Sequence, residues 1–214
     1  MHIVLTHFSD LLAGFVVTLE LTALGFLGAV LLGTSLAILR VSPITPLRVV
    51  GSSYVEFFRN IPLLALLILV VFGLPDLGVT YSLFTSAALC LALSGAAFVC
   101  EAMRGGINAV SVGQAEAARA IGLTFTQSLR FVVLPQAFRA MVQPLVNVFI
   151  GVALSSSLAA AVGVSELTNR TQQLNLEYAE AVASFLVAGA LYLLLALSGG
   201  GIGGWLERRL AIRR

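Results

Sequence analysis

The sequence predicts an all-α integral membrane protein with five transmembrane helices in a single domain over residues 1–214, and three observations carry that prediction. The chain is 59% hydrophobic and 10% charged with a mean hydropathy of +1.02, a composition suited to lipid as solvent. Five long stretches are nearly free of charge, each able to supply the roughly 20 apolar residues that a helix needs to cross a bilayer. The arginines fall into alternate connections between those stretches.

The first span is expected at about 11–39, interrupted only by Glu20. The second, at about 51–74, carries Glu56 and Arg59 near its start. Its uncharged run from Ile61 to Leu74 is 14 residues, about 21 Å of helix and too short to span alone. It must therefore borrow from Tyr54 to Asn60, which places Glu56 and Arg59 on one helical face near a membrane surface, free to pair or to snorkel. The remaining spans are expected at about 82–103, 137–164 and 181–206.

Positive flanks are retained in the cytoplasm. If the first connection, the third connection and the C-terminus face inward, they hold Arg40, Arg48, Arg104, Arg119, Arg130, Arg139, Arg208, Arg209, Arg213 and Arg214, ten of the twelve basic residues. Arg59 sits near the same surface, and only Arg170 is left outside. The N-terminus is thus predicted outside and the C-terminus inside. No Lys or Arg occurs in the first 39 residues, so no cleaved signal peptide with a basic n-region is expected.

Several functions are excluded by what is missing. All twelve basic residues are arginine, which removes a P-loop lysine and a Schiff-base lysine. With a net charge of +2 and dispersed arginines, nucleic acid is not an expected partner. Cys90 and Cys100 are ten residues apart in one predicted helix, about 15 Å, too far to bridge. His2 and His7 lack ligand-spaced companions, so no metal site is expected. No Ser/His/Asp or paired-carboxylate arrangement suggests a catalyst. The glycines between Gly199 and Gly204 end a membrane helix with no preceding strand, which suits helix packing rather than a phosphate loop. Asn169-Arg170-Thr171 is a glycosylation sequon by pattern alone.

The largest inward connection, about 104–136, holds a short alanine-rich helix expected at about 113–122, ended by Gly122. Few large side chains project from it, so another protein's groove can approach closely, while Glu116 and Arg119 offer orienting charges. On physics alone a helix merely joining two spans fits equally well.

Glu116-Ala117-Ala118, then Gly122, Val132 and Leu134-Pro135, resemble the "EAA" motif of ABC importer permeases, written EAA-x3-G-x9-I-x-LP, with valine in place of isoleucine. Further segments narrow the resemblance to the polar amino-acid branch: Tyr54 to Leu64 is similar to the entry of its second span, and Glu101-Ala102-Met103-Arg104-Gly105-Gly106-Ile107 to its E-x-x-RGGI. Ser157-Leu158, Val162-Gly163-Val164 and Glu166-Leu167-Thr168 resemble the region after its fourth span. Arg40 to Pro43 and Gly113-Gln114-Ala115 look most similar to actinobacterial glutamate uptake permeases.

The resemblance implies a type I ABC importer permease fold in a bacterial cell membrane, with no cofactor in this chain. ATP and Mg would be bound by a partner ATPase dimer, docked through a coupling helix carrying Glu116, Ala117, Ala118, Arg119 and Gly122, with Leu134 and Pro135 completing the motif. A second permease subunit, the same or related, and an extracytoplasmic amino-acid-binding protein complete the implied assembly, the latter largely setting which amino acid is carried. The alternative is an autonomous ion-coupled carrier or channel, for which Glu20 is the sole intramembrane carboxylate.

In such a permease the solute path runs along the interface between membrane subunits. Gln143, Asn147, Gly151 and Ser155 recur every four residues on one helical stripe beside Pro144. They suit either pathway lining or helix packing. At Leu154-Ser155-Ser156-Ser157 the chain departs from the family's Lys-Asp-Thr-Ser, so the missing charges would have to come from a partner, and asymmetric pairing is one expectation. Glu20 lies either on the pathway or shallow enough to reach water.

Overall fold

A computed structural model describes Val4 and residues 6–210, all in helices and their connections. His2, Arg213 and Arg214, named above, lie outside the described residues. The helices are α1 (Phe8–Val41), α2 (Thr45–Asn60), α3 (Leu63–Ile68, continued by a π turn Leu69–Gly73), α4 (Leu83–Asn108), α5 (Val112–Ala120), α6 (Phe125–Ser128, continued by a π turn Leu129–Val133), α7 (Leu134–Ser155, tightening to a 3-10 turn Ser156–Val162), α8 (Leu167–Tyr178) and α9 (Ala181–Leu210). Among the described residues four apolar helical segments are long enough to span, at 8–41, 83–108, 125–162 and 181–210. The predicted second span is not one straight helix: α2 and the α3 segment meet at a bend of 100°, and the number of spans is five if that pair counts as one.

Proline explains the bend. The ring of Pro62 excludes the helical region for the residue before it, and Ile61 accordingly takes φ −83° and ψ 131°. Two other prolines explain the π turns. Pro75 and Pro135 each stand two residues after a π turn, where they offer no N–H and would crowd the carbonyl four residues back, at Val71 and Phe131. Widening the turn relieves that crowding, and Leu134 N–H reaches back five residues to Leu129 O.

Helix α1 packs along α4, with small residues facing each other. A Cβ built on Gly28 would meet the Ala92 Cβ at 2.8 Å, one on Gly95 the Ala29 Cβ at 2.8 Å, and one on Gly33 the Val99 Cβ at 2.6 Å and Ala96 O at 2.7 Å. Such close approach is how helices gain dispersion energy where lipid removes the hydrophobic drive between them. Gly25 meets Leu91 at 2.9 Å and α7's Val152 at 3.4 Å, so α7 seats against the same seam. At the other edge α7 meets α9, where Gly199 receives Phe149 and Gly203 receives Val146. Part of the glycine run is therefore a packing surface, while Gly200 and Gly201 face open space.

The connection expected at Ser165–Glu180 holds α8, held by a buried polar cluster. Glu166 accepts from Asn169 N–H at 2.9 Å, Tyr192 O–H at 2.7 Å and Thr18 O–H at 3.3 Å, while Leu167 N–H donates to the Thr18 hydroxyl at 3.2 Å. One carboxyl thereby caps α8 and ties it to α1 and α9. Burial pushes the Glu166 carboxyl above the usual carboxylate range, and the bonds it accepts oppose that only in part.

Two predictions follow from this packing. Gly33→Val should lower the unfolding free energy in detergent by about 1–3 kcal/mol through overpacking, whereas Gly189→Val, with nothing within 4 Å of its added Cβ, should leave the melting temperature nearly unchanged. Because the folded protein holds the Glu166 proton above its ordinary pKa of 4.5, the folded state binds more protons than the unfolded state above that pH. Thermal stability should therefore fall as pH rises from 4.5 through the raised value, and that slope should flatten in Glu166→Gln.

Candidate functional site

The loop helix α5 begins after Ser111 and ends at Gly122, which has φ +87°. Leu123 N–H bonds to Ala118 O at 3.1 Å and Gly122 N–H to Arg119 O at 3.0 Å, a Schellman closure that needs a left-handed residue at Gly122. Nothing lies within 4 Å of a Cβ there, so the requirement for glycine is purely conformational. Thr124 then starts α6 with a capping box to Gln127, and the chain re-enters the bundle through the π turn and α7.

Ala118 is buried beneath α5, whereas Glu116, Ala117 and Arg119 face outward. Neither Glu116 nor Arg119 is held in an ion pair among the described residues. Around them Val112 is 73% exposed and Ile121 79% exposed, apolar side chains on a loop outside every candidate span. Leu134 is half-buried and Pro135 exposed at the start of α7. The surface thus combines charges with no ion pair among the described residues, a small side chain at Ala117 and uncovered apolar groups.

The polar stripe of α7 lies partly on a cavity of about 370 Å³ between α4, α7 and the start of α3. Asn147, Gly151 and Ser155 line it together with Ser94, Leu63 and Phe98. Gln143 is exposed one turn further along and does not line this cavity. Ser156 is fully buried and donates to Ala153 O at 2.7 Å, because the helix tightens there and turns the side chain off the stripe. Ser157 is half-buried and donates to Leu154 O at 2.7 Å. Glu20 is exposed on α1 between Val16 and Leu24 and lines no described cavity. Ser94 was not singled out from the sequence, although the Ser94-Gly95 pair inside an apolar run was the available signal.

Arginines converge on Glu101 at the end of α4. Arg40 hydrogen-bonds its carboxylate, Arg104 lies 3.8 Å from it and Arg59 3.9 Å. Arg59 turns to Glu101 and over the Phe98 ring, not to Glu56, because α2 packs along α4 and brings an interhelical carboxylate within reach. Glu101 thus ties Arg40 of α1 and Arg59 of α2 to α4, with Arg104 beside it on its own helix.

Comparison with known proteins matches residues 29–212 to the family model of the binding-protein-dependent transport system inner membrane component. Similar curated relatives include a probable glutamine ABC transporter permease protein of Bacillus subtilis, 35% identical over 91% of this chain and 87% of the relative. A glutamate transport system permease protein of Corynebacterium glutamicum is 36% identical over 96% of both chains. Among solved structures, an amino acid ABC transporter crystallised with histidines has a TM-score of 0.90 at 32% identity over 96% of both chains. An inward-facing methionine ABC transporter shares the fold at a TM-score of 0.70 and 23% identity.

Gly122→Ala adds one methyl into open space, so its effect isolates the backbone. It should loosen the end of α5 by about 1–2 kcal/mol, read as about tenfold faster amide exchange over residues 118–123 with unchanged exchange in α4.

Proposed function

We propose, from the premise that this chain belongs to the binding-protein-dependent transport system inner membrane components, that it carries glutamate, glutamine or a similar polar amino acid inward. The chain is a multi-pass membrane permease of the amino-acid ABC importer class and is not itself a catalyst. The substrate assignment is supported by relatives named for glutamine and glutamate, and the outer binding protein would select among them.

The observation that carries the mechanism is the docking surface of α5, uncovered yet rigidly capped. An ATPase dimer holding ATP and Mg would seat on Glu116, Ala117, Arg119 and the flanking apolar groups. Buried Ala118 and left-handed Gly122 would hold the helix in shape, and Leu134 with Pro135 would pass its displacement to α7. Closure of the ATPase on ATP would then alternate access to the cavity at Asn147, Ser155 and Ser94. That cavity opens on one face of a single chain, which suits a pathway completed by a second permease subunit. The lack of charged groups at Ser155–Ser157 suits a related rather than identical partner.

The arginine distribution supports an external N-terminus and an internal C-terminus, with α5 on the inner side. Trp205, stacked under Arg209 at 4.5 Å, would mark the inner interface at the end of α9.

Purification of the native assembly in mild detergent tests this reading. The native chain should carry an ATP-binding subunit and a second permease chain, and Gly122→Trp should lower ATPase recovery about tenfold or more while the permease pair persists. Recovery of the chain alone, moving solute in liposomes without ATP, would overturn it in favour of an ion-coupled carrier.

A further inference from the structure

At the end of α1 opposite the Glu166 cluster, a second cavity of about 550 Å³ lies between α1, α2 and α4. Arg40, Arg48 and Arg104 line it with the hydroxyls of Thr45, Ser52 and Ser53. Glu56 is the carboxylate at its wall, and Glu101 stands behind it with Arg59, so the four guanidinium groups face two carboxylates and the cluster carries a net charge of +2. Glu101 is already shared among Arg40, Arg59 and Arg104. Among the described residues Arg48 forms no ion pair with a carboxylate: its hydrogen bonds go to Ser42 O at 3.4 Å and the Thr45 hydroxyl at 3.1 Å. The charge that remains unmatched is therefore at Arg48, and it is ringed by hydroxyl donors.

What surrounds the cavity identifies its occupant. On α2 the residues beside Arg48 are Leu47, Val49 and Val50, 37%, 57% and 60% exposed. Helix α2 is amphipathic, rests its buried Gly51 on Leu36 to Arg40 of α1 and runs along α4 from Arg104 to Leu93, whose carbonyl accepts from the Tyr54 hydroxyl, so Arg48 stands where α1 and α4 end. A cationic pocket with hydroxyl donors, bordered by uncovered aliphatic side chains at the end of membrane helices, fits a molecule with a phosphate at one end and hydrocarbon at the other. We infer that this cavity binds the phosphate of an anionic phospholipid headgroup, with Arg48 as the principal contact and the acyl chains lying along Leu47, Val49 and Val50. The inference rests on the membrane-permease reading but not on which solute is carried.

Native mass spectrometry of the delipidated, intact transporter assembly, titrated with phosphatidylglycerol or phosphatidylcholine, tests it. Phosphatidylglycerol should be retained in preference to phosphatidylcholine. Arg48→Gln should weaken that retention about fivefold, the share of one arginine near a charged surface, and Arg48→Lys should restore most of it. Arg209→Gln removes the same charge at the end of α9 and should leave retention unchanged. Equal losses in Arg48→Gln and Arg209→Gln would reduce the effect to overall charge and overturn the site. Displacement of phosphatidylglycerol by inorganic phosphate would assign the cavity to a soluble anion, and loss of the ATP-binding subunit from Arg48→Gln would assign Arg48 to a subunit contact. Either result overturns the lipid assignment. Retention is read by mass with no reference to uptake, so a failure to move solute bears on the transport reading alone.

Discussion

The close seam between α1 and α4 is the contact on which the other parts of the bundle depend. In lipid the hydrophobic effect does not distinguish helix from acyl chain, so association rests on how near two backbones can come. Gly28, Ala29 and Gly33 on one side and Ala92, Gly95 and Ala96 on the other allow that approach. With the seam closed, the two ends of α1 are fixed in space, and each end carries a polar lock. Thr18 holds α8 and α9 through Glu166, and Arg40 holds α2 and α4 through Glu101. The apolar middle supplies proximity and the polar ends supply register, a division imposed by the cost of unpaired charge in hydrocarbon. Helix α7 is seated by the same seam, since Val152 meets Gly25 and Gly95, and the stripe of Asn147, Gly151 and Ser155 is thereby aimed at Ser94 and Phe98.

Proline placement divides the remaining backbone into rigid and yielding pieces. Pro62 breaks the path between α2 and α3, so α2 runs along α4 as far as Leu93 while α3 turns toward the wall of the cavity. Pro75 and Pro135 each follow a widened turn, but only the second lies between the docking helix and the cavity. A π turn holds the chain in a helix with one residue more per closure than its neighbours and is where a helix rewinds at least cost. Along the chain that turn stands between α5 and Asn147, while the Gly122 closure ends α5 and the Thr124 capping box starts α6 with satisfied backbone groups.

Much of this was legible in the sequence, for identifiable reasons. The apolar stretches of α1, α4 and α9 are long and carry few charges, so hydropathy expects spans at about 11–39, 82–103 and 181–206, where the helices run Phe8–Val41, Leu83–Asn108 and Ala181–Leu210. The alanine-rich run ended by Gly122 led to a helix expected at about 113–122, and α5 runs from Val112 to Ala120. Hydropathy missed α8, because Leu167–Tyr178 is polar overall and its helix is fixed by partners distant in sequence, Thr18 and Tyr192. For the same reason Arg59 was set against Glu56, its neighbour on the helix, whereas the carboxylate it approaches is on α4. The sequence groups Ser156 with Ser155 and Ser157 as the segment that departs from the family's Lys-Asp-Thr-Ser, whereas the helix tightens after Ser155 and buries Ser156. Local period and spacing are properties of a segment, whereas crossings and caps that use distant side chains are properties of the assembled bundle.

Exposed apolar residues also separate by the solvent that must cover them. Leu24, Leu27 and Leu31 on α1 and Leu193, Leu194 and Leu197 on α9 lie within candidate spans, and hydrocarbon solvates them at no cost. Val112 and Ile121 are exposed to a similar or greater extent but lie outside every candidate span. A chain that left them in water would carry an apolar patch beside free charges with nothing gained in its own folding. No part of the described chain covers them, and they border Ala117, whose small side chain keeps the middle of that surface flat. The cavity at Asn147 takes its polar groups from two helices, Asn147 and Ser155 from α7 and Ser94 from α4, and Leu63, Leu91, Phe98, Val148 and Val152 make the rest of its wall largely apolar.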